Sequence, residues 1–310
     1  MCTPLTKLTI PEGTKVIEHE VPLYYWKDIV DVTIPNTVVE IGNFAFKGCE
    51  VLTKVIIPNS VIKIGNYAFE NCYNLTDIKF SENLVEIGNL AFGKCWELTN
   101  VVIPNGVKRI GELAFLKCWE LISVTIPDSV EEIGDSAFAD CSKLINVTSL
   151  NNIKKLGKSV FEKCSSLKTI DLTISKDIKI ISPFLFSKCT SLESFVIPET
   201  VTEIGENAFS GCKSLRNLEI PERIRKIGKC AFEDCSSLES LKIPNGIKTI
   251  EKYTFSGCSS FTSFTIPCSV KKIGGFAFYK CPYIKSIIIP KSVTHIDKAA
   301  FQQNCKLIRE

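Results

Sequence analysis

The sequence predicts a repeat solenoid, in which one short coil of chain is copied about a dozen times and stacked on its neighbours. Three observations carry this. A phenylalanine recurs at positions 46, 69, 92, 115, 138, 161, 186, 209, 232, 255, 278 and 301, every step being 23 residues except the 25 from Phe161 to Phe186. Around each marker the same apolar pattern returns, L-x-x-V-x-I-P-x-S-V-x-x-I-G-x-x-A-F-x-x-C, as in Val55 to Cys72. Hydrophobic residues make up 45% of the 310, enough to fill a core along the whole array. The chain therefore reads as one body over 1–310, with a degenerate first coil over 1–33 and about twelve units over 34–310.

Each position in a unit has a physical reason. Val55 and Ile57 alternate with Lys54 and Ile56, the period-two pattern of a strand with one face inward. Pro58 stops it, having no N–H for a ladder, and Asn59-Ser60 form the turn. Val61 and Ile64 point inward from a second short extended or irregular segment. Gly65 marks a tight bend or close approach. Tyr67 to Cys72 then reads as a turn of helix or 3-10 that places Phe69 in the core. The expected architecture is one long parallel sheet on one face and short helical, 3-10 or irregular segments on the other.

In the first coil Pro22 stands where a marker Phe is due, and Leu23-Tyr24-Tyr25-Trp26 supplies bulk instead, as a terminal unit covering an open core should. A two-residue insertion falls near 173–177, where Ser182-Pro183 also replaces the usual Gly step; it reads as a bulged loop or a change of curvature. At the far end Leu307-Ile308-Arg309 starts another strand, whose open edge offers end-to-end association as the alternative to a monomer.

Eleven of the fifteen cysteines lie three residues after a marker Phe, and no C-x-x-C pair exists. They read as one structural column of small buried thiols, not a zinc or disulfide framework. Net charge is +3, which favours neither nucleic acid nor an anionic membrane as partner. No apolar run approaches the roughly 18 residues of a membrane span. The opening Met1-Cys2-Thr3-Pro4-Leu5-Thr6-Lys7 has neither the basic start nor the apolar core of a secretory leader.

With these positions in hand, the chain resembles the BspA-like leucine-rich repeats. Leu121 to Phe138 follows that consensus nearly residue for residue, and the match runs over about 5–308. The resemblance implies a right-handed leucine-rich-repeat coil used for adhesion or protein binding, at a cell surface or after secretion. Cytoplasmic residence, as an interaction scaffold, is the alternative. It implies no catalytic residues, metal or cofactor.

Stacking turns equivalent positions into columns. Glu40, Lys63, Glu86, Arg109, Glu132 and Lys155 alternate in sign, then after Ile180 come Glu203 and Lys226: a salt ladder. The outward positions of the main strand carry small polar residues without aromatics, a flat solvated face or hydrogen-bonding platform. Just after the Cys column, Tyr73, Trp96 and Trp119 fall in three successive units, and Phe44 and Tyr67 occupy the place two residues before the marker. These five residues are the candidate binding rim for a protein or glycan ligand, because aromatic side chains dominate recognition hot spots. Only His19 and His295 exist, far apart in sequence, so the chain reads as a non-enzyme.

Overall fold

The structure, a computed structural model, describes residues 6–18, 26–148, 150–172 and 177–310. The chain divides into two compact units, Met1–Cys164 and Ser165–Glu310. Each is a parallel β-solenoid whose coils stack in the 23-residue register.

In the first unit the continuous sheet is built from the second segment of each coil. Val16–Ile17, Glu40–Ile41, Lys63–Ile64, Glu86–Ile87, Arg109–Ile110, Glu132–Ile133 and Lys155–Leu156 form one seven-stranded parallel sheet in chain order. The main segments, expected to make one long sheet, instead form shorter ones: Lys7–Thr9 with Asp31–Thr33, Lys54–Ile56 with Asp77–Lys79, and Asn100–Val102, Ser123–Thr125 and Asn146–Thr148 together. The spine phenylalanines are fully buried, and from Phe46 to Phe138 their ring centroids are 5.1 to 5.3 Å apart. Trp26 packs on Phe46 at 5.8 Å, placing described bulk of the first coil against the first spine ring; Leu23, Tyr24 and Tyr25 lie outside the described residues.

The segment expected as a turn of helix or 3-10 contains no helix among the described residues. Its backbone alternates in hand. Tyr67 has φ 59° and Asn71 φ 63°, and the same two columns are left-handed at Phe44, Leu90, Lys94, Leu113 and Lys117. A left-handed residue costs about 1–2 kcal/mol when it is not Gly. The return is a hydrogen-bond ladder between coils: the N–H groups of Tyr67, Phe69 and Asn71 donate forward to the carbonyls of Asn89, Ala91 and Gly93 at 2.7 to 2.9 Å. On the second segment the sense is opposite, Ile62 and Gly65 donating back to Val39 and Ile41.

The Gly column exists for close approach. A Cβ on Gly111 would lie 2.5 Å from the carbonyl carbon of Gly88, and one on Gly88 2.6 Å from that of Gly65. The next residue locks the bend: the side-chain oxygens of Asn43, Asn66 and Asn89 accept from the backbone N–H of Asn66, Asn89 and Glu112 at 2.7 to 2.9 Å. The salt ladder is also formed, with Lys63–Glu40 at 3.0 Å, Arg109–Glu86 at 3.2 Å, Lys155–Glu132 at 2.6 Å and Lys226–Glu203 at 2.6 Å.

In the second unit the second segments pair as Ile180–Ile181, Glu203–Ile204 and Lys226–Ile227, and again as Thr249–Ile250, Lys272–Ile273 and His295–Ile296. The main segments open up. Apart from Ser286–Ile289 with Lys306–Arg309, the described pairing is a single bridge, Ser194 to Asn217. The cause is visible at the inward position, which holds Val55, Val101 and Val124 in the first unit but Phe195, Leu218, Leu241 and Phe264 here. Phe195 wedges 5.0 Å from Phe186 and 5.5 Å from Phe209; Phe264 lies 5.1 Å from Phe255 and 4.7 Å from Phe278. Spine spacing widens to 5.5 to 5.7 Å between Phe186 and Phe278. The backbone bonds stretch with it: Arg216 N to Glu193 O and Glu239 N to Arg216 O are 3.4 Å, against 2.8 Å for Ile122 N to Thr99 O. Residues 173–176 of the expected insertion lie outside the described residues.

Gly111→Ala tests the close approach. The added methyl displaces neighbouring backbone, and overpacking of that kind costs about 1–3 kcal/mol. The urea midpoint drops accordingly; an unchanged midpoint contradicts the contact. Arg109→Glu places three like charges in a row, Glu86, residue 109 and Glu132, and lowers stability by about 1 kcal/mol at low salt, less at high salt.

Candidate functional site

The candidate rim lies in the first unit and is positioned by the backbone. Glu97, Glu120 and Lys143 donate their N–H groups to the carbonyls of Tyr73, Trp96 and Trp119, which fixes those three residues one above another. Their rings form a continuous stack: Tyr73 to Trp96 is 4.0 Å between centroids at 20°, and Trp96 to Trp119 is 4.9 Å at 9°. Trp96 is covered on both faces, and its indole N–H is buried without a hydrogen-bond partner. Trp119 is 39% exposed at the end of the stack. The surface thus offers ring edges along its length and an open face at the ends only.

Phe44 and Tyr67 form a second stack, 4.8 Å apart at 8°. Lys47 caps it, its ammonium 5.3 Å from the Phe44 ring and 5.1 Å from the Tyr67 ring. No ring contact among the described residues joins the two stacks; a buried carboxylate lies between them. Glu70 is 7% exposed and pairs with Lys47 at 2.8 Å and Lys94 at 3.9 Å. Burial raises the Tyr73 phenol above its ordinary range, and the charges of Glu50 and Glu70 push the same way. Lys47 and Glu70 stand 23 residues apart in one column, which was the sequence signal for this ion pair.

The expected flat platform is not flat throughout. Where the main strands of the second unit part, a groove of about 830 Å³ opens along Ser194, Val196, Asn217, Glu219, Ser240 and Lys242. The second unit also carries an aromatic group that the column reading passed over. Tyr253 and Phe276 stack at 5.0 Å and 9°, and Tyr279 meets the Phe276 edge-on at 5.6 Å. They occupy the Phe44/Tyr67 column and the Glu70 column, so the same comparison of columns finds them. His295 is an exposed member of the ladder, opposite Lys272, and His19 lies outside the described residues.

The cysteine column does more than fill space. Cys72, Cys95, Cys118, Cys141 and Cys164 in the first unit, and Cys212, Cys235, Cys258 and Cys281 in the second, each donate S–H to a spine Phe carbonyl of the preceding coil. The distances are 3.1 to 3.3 Å. All fourteen described cysteines are free thiols.

The BspA-type leucine-rich repeat region matches residues 1–121, 85–181, 108–202 and 179–308. The chain belongs to the BspA-type leucine-rich repeat family. Among solved structures, this BspA-type chain is similar to a leucine-rich repeat protein from Bacteroides ovatus, at 26% identity over 98% of this chain and 84% of that one, with a TM-score of 0.81. A leucine-rich cell surface protein from Faecalibacterium prausnitzii is similar at 29% identity over 98% and 88%, with a TM-score of 0.67. A leucine-rich repeat protein from Eubacterium ventriosum, at 24% identity, 98% and 91% coverage and a TM-score of 0.65, shares the fold. No curated protein matches the chain.

In the BspA-type coil the thiols should be chemically silent. Burial is the leading cause that holds Cys164, Cys212 and Cys235 well above the ordinary thiol range, and it pushes Cys230 up to about 12. Alkylation at neutral pH therefore labels the exposed Cys268 first among the described thiols, with Cys230 and Cys305 slower and the column thiols only after denaturation. Mass spectrometry that finds Cys118 or Cys141 modified in the native protein refutes the S–H ladder.

Proposed function

We propose that the protein is a non-catalytic binding protein, adhesin-like, whose first unit presents Tyr73, Trp96 and Trp119, flanked by Phe44 and Tyr67, to a protein or glycan at a cell surface. One observation carries the proposal. Three large aromatic rings stack in register on the outside of a coil whose equivalent positions elsewhere hold mostly Ser, Thr, Lys or Glu, as at Ser142, Thr190, Lys213 and Glu50. Those rings are surplus to the core, which the Phe spine already fills. Rigid aromatic side chains bury large area at low entropic cost, which suits a contact surface. Membership of the BspA-type family and similarity to a protein described as a leucine-rich cell surface protein support the surface location.

The ring arrangement selects the partner's shape. Because the inner faces are used within the stack, a ligand meets indole and phenol edges, and the open Trp119 face takes a flat apolar group. Trp96 is structural as much as exposed, so Trp119 is the informative position.

Surface plasmon resonance of the full chain against purified matrix proteins and a glycan array reads this out. Trp119→Ser lowers affinity for the bound partner by at least about tenfold, the effect of a hot-spot truncation. Its melting temperature stays within a few degrees of the parent. Binding that persists at full strength in the Trp119→Ser and Phe44→Ser variants moves the site off this rim.

A further inference from the structure

The modest net charge of +3 conceals a local excess. From Lys252 to Lys306 the sequence holds eight lysines, at 252, 271, 272, 280, 285, 291, 298 and 306, against a single acid, Asp297. All eight are exposed. Several lysines elsewhere stand in ladders with Glu or Asp, as at Lys63–Glu40 and Lys155–Glu132. Among the described residues the ion pairs run as far as Lys242–Glu222, and none includes any of these eight. The stretch therefore carries a local positive excess, bordered by Glu251 and Glu310 and tempered at Lys280 by the charge of Glu233.

Three of the lysines frame the second aromatic group. Tyr253 donates its N–H to the Gly275 carbonyl at 3.1 Å, and Phe276 donates to Ala299 at 2.9 Å. Residues 252–253, 275–276 and 298–299 thus lie side by side on three successive coils. Lys252 and Lys298 share a column with Gly275 between them, and the space beside Gly275 is approached by the Asp297 carboxylate, whose atoms lie 3.2 to 3.3 Å from where a Cβ on Gly275 would stand. Two coil spacings put their backbone positions about 10 Å apart. Lys280 sits over the Tyr279 ring at 5.7 Å. Asp297 turns its Oδ1 to the Ala299 N–H at 2.9 Å, and its carboxylate is engaged within the turn. Phe276 is 37% exposed, Tyr279 42% and nearby Tyr283 61%.

We infer that this face, built on Tyr253, Phe276 and Tyr279 with Lys252, Lys280 and Lys298, binds a polyanionic polysaccharide bearing sulfate or carboxylate groups. Lysine ammonium groups act as point charges for such anions. Two of them spaced along a column suit charges that recur along an extended chain. The aromatic geometry favours sugar over nucleobase. Tyr253 and Phe276 spend their facing surfaces on each other, so no platform of open ring faces exists on which successive bases stack. What remains outward is ring edge and phenol hydroxyl, which can exchange hydrogen bonds with sugar hydroxyls and sulfate oxygens. Its residues belong to the second unit, and those of the Tyr73–Trp119 rim to the first.

Heparin is the probe. The full chain binds immobilised heparin at about 0.15 M salt and leaves a neutral dextran unbound. The triple variant Lys252→Gln, Lys280→Gln, Lys298→Gln loses roughly tenfold or more in affinity, and the slope of log affinity against log salt shrinks by about two to three, as charge contacts are removed. Tyr279→Ser weakens binding without changing that slope. A control with the same charge change, Lys54→Gln, Lys63→Gln, Lys155→Gln, retains parent affinity within about threefold if the local field matters more than net charge. All variants keep the parent's melting temperature within a few degrees, because every substituted side chain is at the surface. Heparin that fails to bind, or equal losses in both triple variants, overturns the inference. Tighter binding to a single-stranded oligonucleotide or to phosphatidylserine vesicles than to heparin also overturns it, and assigns the face to nucleic acid or to a membrane surface instead.

Discussion

The strand-to-strand hydrogen bond, with its spacing of about 4.8 Å, governs the rest of the molecule. Every other periodic feature has to fit that rise. A spine of phenylalanines fits because flat rings stack at 5.1 to 5.3 Å with a small tilt. Glycine fits at most of the bends because a Cβ there would stand only 2.5 to 2.8 Å from the preceding coil. Cysteine fits three residues after Phe because its small side chain reaches a carbonyl of the coil before it. Where a residue is too large for the spacing, as at Phe195 and Phe264, the main-strand ladder yields while the second-segment ladder persists in two three-stranded runs. The second segment is thus the constant of the fold, and the main segment is the variable.

Much of this was legible in the sequence, for a physical reason. In a stack of identical coils, a column in the sequence is a column in space, so the Phe spine, the Cys column and the alternation from Glu40 to Lys155 could be read directly. The left-handed backbone was harder. Its two columns hold Tyr67, Leu90 and Lys94 as readily as small residues, because interstrand bonding overrides local preference. A trace of the signal exists: Gly48, Asn71, Asp140, Gly211, Asp234 and Gly257 share one of the columns, and these are the residue types most tolerant of positive φ. A run of such residues in one column is a better indicator of the turn than the helical look of any single copy.

The recognition surfaces divide in the same way. The stack of Tyr73, Trp96 and Trp119 follows from column position alone. Its electrostatic neighbour, Glu70 between Lys47 and Lys94, follows only in part from column position: Lys47 and Glu70 share a column 23 residues apart, whereas Lys94 belongs to the next column and meets Glu70 through the turn. The lysine-rich face of the second unit was hidden by averaging, since acids elsewhere cancel it in the whole-chain total. In a repeat protein, charge is better summed over a few coils than over the chain.

The opposed senses of the backbone bonds have a consequence for assembly fidelity. On the turn side the Tyr67, Phe69 and Asn71 amides point toward the following coil, while on the other side Ile62 and Gly65 point toward the preceding one. Any plane between two coils is therefore keyed like a plug and socket, with donors on one flank facing acceptors and the reverse on the other. A coil inserted upside down would set amide against amide on one flank and carbonyl against carbonyl on the other. Polarity of stacking is thus written into the main chain itself, and side chains are left free to diversify the outer surface.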